Sequence, residues 1–152
     1  MTGSAILAIA IRPATVADAI EVARLLTALG HPTDAKGIAV RWGEWLAAGN
    51  DALVADRADG TLAGVATMHE MVVLHRPRPV GRITALVVDA SARRQGIGRA
   101  LVAAAEEALA RKGCGLLEIT SNERLADAHA FYERLGYERT SVRFAKVLAP
   151  DG

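Results

Sequence analysis

The run "RITALVVDASARRQGIGRALVAAAEEALARKGCGLLEIT", Arg82 to Thr120, decides the fold. Its opening, "RITALVVD", is a branched apolar segment of strand length, and "LLEIT" at its end is another. Between them a helix is predicted from about Gly98 to Arg111, closed by the turn "KGCG". Strand, helix and strand in that order make a crossover unit, so "RITALVV" and "LLEIT" are expected to lie parallel in one sheet.

The flanking sequence supplies the other layers. Upstream, "ALVAD" and "TLAGVATMHEMVVLH" bracket "RADG", whose Asp59-Gly60 signals a hairpin of two antiparallel strands. The prolines of "RPRPVG" cannot donate to a ladder, which makes that segment the next turn. Nearer the start, "AILAIAIRPA" reads as a first strand ending at Pro13. The following segment places Ile20, Ala23, Leu26 and Leu29 on one helical face and stops at Gly30. "HPTDAKGIAVRWGEWLAAGN", with Val40, Trp42, Trp45 and Leu46 interrupted by Gly43, predicts only a short or irregular helix. Downstream, "NERLADAHAFYERLG" reads as another helix, and "SVRFAKVL" alternates as a last strand. The pattern is that of an α/β (α+β) domain with a mixed, mostly antiparallel sheet.

Composition narrows the class. The chain has 152 residues, 51% of them hydrophobic and 23% charged, which suits one globular domain spanning residues 1–152. A formal charge of +1 and an aromatic content of 4% give little purchase on nucleic acid. Cys114, the one cysteine, excludes an internal disulfide and a cysteine-based zinc cluster, and no metal-ligand set is read elsewhere. The N-terminal apolar run lacks the basic flank and cleavage pattern of a signal peptide, so the expected compartment is the cytoplasm, with no membrane partner.

The glycine turn before the central helix is an anion site in outline, because unpaired N–H groups and a partial positive charge gather at a helix N-terminus. A phosphate-binding loop of the Walker type needs Lys-Ser/Thr after the last glycine, whereas Gly98 is followed by Arg99 and Ala100. A dinucleotide fingerprint would put its third glycine at Leu101, which outweighs the suggestive spacing of Glu118 as a ribose partner.

What remains is Arg93-x-x-Gly96-x-Gly98 after a strand and before a helix, and in this the chain resembles the GCN5-related N-acetyltransferase (GNAT) family. "TSNERLADAHAFYERLGYE", Thr120 to Glu138, is similar to the family's next strand-helix-strand unit. The resemblance implies a sheet of six to seven strands with helices on both faces and acetyl-CoA as co-substrate. It implies that Arg93, Arg94, Gln95, Gly96, Ile97, Gly98, Arg99 and Ala100 hold the pyrophosphate. Leu86, Val87 and Val88 would pair through their backbone with the pantetheine arm where the two parallel strands splay, a backbone N–H of Val87 or Val88 polarising the thioester carbonyl. Asn122 would hydrogen-bond the cofactor, and Tyr132 would be the general acid for the departing thiolate. A homodimer is implied as well.

The proton acceptor has several candidates. Many members of the family carry an acid just before the "LVV" run, where this chain has Thr84-Ala85. Glu70 is the replacement ranked first, with His69 or His75 relaying through water as the alternative. Strand alternation forbids His69 and Glu70 from sharing a face. His129 lies one helical turn from Tyr132 and reads as structural. Cys114, in a turn remote from any activating motif, argues against an acyl-enzyme, so direct transfer is expected.

"HRPRPVGR" gathers Arg76, Arg78 and Arg82, either a solvated tip or a site for an anionic acceptor. Together with Arg143 on the last strand it is similar to the aminoalkylphosphonate and small-amine acetyltransferases of the family, implying a small-molecule amine acceptor that carries an acidic group. Acetylation of a protein N-terminus or lysine is the enzymatic alternative, and a non-catalytic acyl-CoA-binding module the other. The segment around Trp42 and Trp45 is expected to form the acceptor wall.

Overall fold

The computed structural model describes residues 8–121 and 126–150. The chain divides into two compact units, Met1–Thr120 and Ser121–Gly152.

The first unit is a five-stranded sheet with strands in sequence order. β1 (Ala10–Pro13), β2 (Asn50–Asp56), β3 (Leu62–Met71) and β4 (Val80–Val88) run antiparallel in turn. β5 (Leu116–Ile119) is parallel to β4, as the crossover through α3 (Ile97–Arg111) requires. The hairpin expected at Asp59-Gly60 joins β2 to β3. α1 (Ala19–Leu29) and α2 (Ala35–Ala47) complete the unit.

Each face of the sheet is covered by helix. On one, Val22 and Leu25 of α1 pack with Val54, Val65 and Val87, and Ile38, Trp42 and Trp45 of α2 close over them. On the other, Ile97, Leu101, Ala105 and Leu109 bury the apolar stripe of α3, each at most 5% exposed. Gly64 makes this second contact possible. A Cβ there would stand 2.8 Å from the Val87 carbonyl oxygen and 3.0 Å from Leu101 Cδ1, so α3 rests on bare backbone.

α2 is more regular than its sequence suggests. Asp34 caps it, its carboxylate accepting from the Lys36 N–H at 3.3 Å, and the apolar stripe Ile38–Trp42–Trp45 gains enough from packing to carry Gly37 and Gly43 inside the helix. β3 ends earlier than expected: Val72 and Leu74 lie beyond it, 83% and 106% exposed. No helix among the described residues is long and apolar enough to cross a membrane.

In the second unit α4 (Ala126–Arg134) ends at Gly136 with a left-handed turn. The last strand expected from "SVRFAKVL" does not form. Residues 141–148 have no ladder partner among the described residues, and Val142 and Phe144 are 64% and 92% exposed. Alternation specifies a strand only when a neighbouring edge receives its hydrogen bonds, and a lone extended segment has no such support. The described sheet therefore has five strands rather than six to seven.

Candidate active site

The two faces of the sheet carry different chemistry. A Cβ on Gly81 would lie 2.8 Å from Leu109 Cδ1, so this side of β4 faces α3. Glu70 is opposite Gly81 in the β3–β4 ladder and shares that face. Its charge reaches Cys114 beyond α3, whose thiol is pushed up first by burial and then by Glu70. Alternation puts Thr67 and His69 on the opposite face, as the sequence requires for His69 and Glu70. His69 faces Arg82 across the ladder, and Arg82 in turn faces Glu118 on β5. The hydroxyls of Thr67 and Thr84 are 2.7 Å apart. α3 covers the first face along this stretch, whereas on the second, beyond the core under α1 and α2, Thr84 is exposed. His69 keeps Nδ1 buried without a partner among the described residues, against Gly49.

Between these rows the two parallel strands part. The β4–β5 ladder runs from Val80–Leu116 to Ile83–Ile119 and stops. Thr84 is the extra residue of a bulge, because Thr67 pairs with Ala85 and Met68 with Ile83. From Ala85 to Val88, β4 pairs with β3 alone, leaving its other edge without a strand partner among the described residues. Leu86, Val87 and Val88 stand along this edge, which can receive an extended ligand as an added strand.

The strand leads into Asp89, which is held from three directions. Its carboxylate accepts from Arg24 and Arg57 at 3.0 Å each and from the Ser91 hydroxyl, and these hold its pKa far below the ordinary aspartate value. The loop beyond turns left-handed at Arg94 (φ 63°) and Gly96 (φ 75°) and enters α3. The first intrahelical bond is Ala100 N–H to the Gly96 carbonyl at 3.0 Å, so the amides of Ile97, Gly98 and Arg99 precede any intrahelical acceptor. Arg93, Arg94, Gln95 and Arg99 are exposed, and the three arginines form no ion pair among the described residues. Converging amides beside free guanidinium groups suit a multiply charged anion. Ile97, the first residue of α3, is the exception, its side chain being buried against the sheet at Gly64.

In the second unit Tyr132 is partly buried, its ring edge-on to Phe131 and Tyr137 with centroids 5.4 and 6.3 Å away. Burial pushes its phenol above the usual value, so it keeps its proton at neutral pH. His129 Nδ1 lies 3.2 Å from Arg139. Asn122 lies outside the described residues.

The profile of the Acetyltransferase (GNAT) family matches residues 20–137. The chain belongs to the GNAT family. It is 39% identical over 90 residues to the aminoalkylphosphonate N-acetyltransferase of Salmonella typhimurium, a match covering 59% of this chain and 58% of that relative. This GNAT chain thus aligns with little more than half the length of its curated relative. Among solved structures it resembles an acetyltransferase of Trypanosoma brucei, with a TM-score of 0.82 and 27% identity over 93% of this chain and 100% of that one. An aminoglycoside N-acetyltransferase in complex with CoA shares the GNAT fold at a TM-score of 0.79 and 22% identity, over 93% of this chain and 96% of that one.

Sequence reasoning gave no role to Thr67, to the anchoring of Asp89 or to the pairing of Arg82 with Glu118. The parallel register Arg82–Glu118 was within reach, since the crossover unit aligns the two strands, whereas nothing in "ITAL" announces the bulge at Thr84.

Proposed function

We propose that this chain is an acetyl-CoA-dependent N-acetyltransferase acting on the primary amine of a small molecule that carries an acidic group, by direct attack in a ternary complex. One observation carries the reading: the unpaired edge of β4 runs through Asp89 into the left-handed turns and free amides at the start of α3. A donor with a linear amide-containing arm and a pyrophosphate matches both parts of that path, and the residues present fit it. The curated relative's aminoalkylphosphonate activity supports the acceptor class.

Leu86, Val87 and Val88 hold the arm by backbone hydrogen bonds, and an N–H of Val87 or Val88 polarises the thioester carbonyl as negative charge develops on its oxygen. The amides from Gln95 to Arg99, with Arg93, Arg94 and Arg99, grip the pyrophosphate, the Ala100 N–H being taken by the Gly96 carbonyl. Tyr132, protonated at neutral pH, donates to the leaving thiolate. An alkylammonium must lose a proton before attack, since its pKa lies near ~10. Glu70 points to the face that α3 covers, which favours His69, on the face of Thr67 and Thr84, as the acceptor of that proton through water. The active form is a homodimer, a point that light scattering checks.

The test is thiol release by the purified chain with acetyl-CoA against amines, amino acids, aminophosphonates, polyamines and peptides. Release with small acidic amines is expected. Release with peptides alone would replace the small-molecule reading by protein acetylation, and acetyl-CoA binding without release would leave only a binding module.

A further inference from the structure

On the face opposite α3, directly below the point where β4 and β5 part, Arg82 and Glu118 stand side by side across the parallel ladder. Their ion pair is loose: a single contact, Arg82 Nη2 to Glu118 Oε2 at 3.3 Å, with the two side chains 35% and 38% exposed. Such a pair contributes little to folding and opens at small cost. Arg82 is also poorly satisfied. Glu118 is its only hydrogen-bond acceptor among the described residues, and its Nε is buried with none. A guanidinium donates and never accepts, so a bound ligand that completes this group brings oxygen atoms. The carboxylate beside it calls for the opposite charge.

We propose that Arg82 and Glu118 are the acceptor-reading pair: the acidic group of a zwitterionic acceptor displaces Glu118 from Arg82, and the freed Glu118 receives the acceptor's ammonium before deprotonation. The idea rests on the small-amine reading above.

The experiment uses the full chain with three probes of similar size: aminoethylphosphonate, β-alanine and propylamine. Steady-state thiol release gives kcat and KM for wild type, Arg82→Gln, Arg82→Lys and Glu118→Gln, while calorimetric acetyl-CoA binding and thermal melting control for folding. Wild type is expected to prefer the two acidic probes in KM by at least about tenfold, the order that one charge-assisted hydrogen bond supplies. Arg82→Gln is expected to erase most of that preference by raising KM for the acidic probes more than for propylamine, and Arg82→Lys to restore part of it. Glu118→Gln is expected to raise KM for all three. An Arg82→Gln protein that melts and binds acetyl-CoA as wild type does, yet keeps the wild-type preference, overturns the assignment while leaving the small-amine reading intact. No release from wild type with any small amine overturns both.

Discussion

Replacing Asp89 by Asn tests whether the proposed anion-binding loop is anchored from below. The carboxylate holds Arg24, Arg57 and Ser91 together at the end of β4, and its own N–H bonds the Ala63 carbonyl at 2.8 Å. Arg24 is 42% exposed, so its pairing is screened and contributes at most about 0.5 kcal/mol. Arg57 and Asp89 are each 19% exposed, and their bond is worth more, about 1 kcal/mol. Asparagine keeps one oxygen and turns an N–H toward a guanidinium, so the expected loss is roughly 1–2 kcal/mol. For a chain of this size that lowers Tm by about 2–8 °C. The pH dependence gives the sharper check. Asp89's folded pKa is depressed, so its stabilisation is fully present above the ordinary value near 3.8 and is lost as pH falls toward the folded value. The gap between wild type and variant, measured by urea unfolding, should therefore be the same at pH 8 and pH 5, about three pH units apart, and close only in stronger acid. A gap that vanishes by pH 5, or no gap at pH 8, refutes the anchoring argument.

Three further outcomes follow from the site. Gly96→Val places a branched side chain at φ 75°, and acetyl-CoA affinity by calorimetry should fall by about tenfold or more while the sheet stays folded. Tyr132→Phe should lower kcat roughly 100-fold, the usual scale of a general acid, with acetyl-CoA binding unchanged; unaltered kcat would remove the tyrosine from the chemistry. His69→Gln should lower kcat roughly 100-fold while Glu70→Gln leaves it near the wild-type value, and the reverse result would return the base to Glu70.

Much of the architecture was legible because it rests on local signals. The crossover between "RITALVV" and "LLEIT" specifies a parallel pair, and Asp59-Gly60 a hairpin, without appeal to any long-range contact. The regularity of α2 was hidden, since Gly37 and Gly43 weaken the intrinsic preference and only the core beneath Trp42 and Trp45 restores it. The reverse holds for residues 141–148, whose alternation promises a strand that the described partners do not supply. Within the candidate site, the turn into α3 announced itself through its glycines, Gly96 being left-handed there. The face on which Glu70 stands did not, because alternation says that neighbours diverge and leaves open which of them meets α3. That choice is made by Gly81 lying under Leu109.

The missing side chain at Gly64 acts as a ruler. Position 64 pairs with Val88 in the ladder and lies under Ile97 and Leu101, so it sets how deep the first turn of α3 sits relative to the Val87 carbonyl. One methyl there would force apart the two ends of the proposed donor path, the amides assigned to the tail and the strand assigned to the reacting carbonyl. A thioester donor must span both grips with an arm of fixed length, and a truncated donor without the nucleotide uses only one. Gly64→Ala should accordingly penalise acetyl-CoA more than acetyl-pantetheine, making one absent carbon atom a gauge for the length of donor that the proposed site accepts.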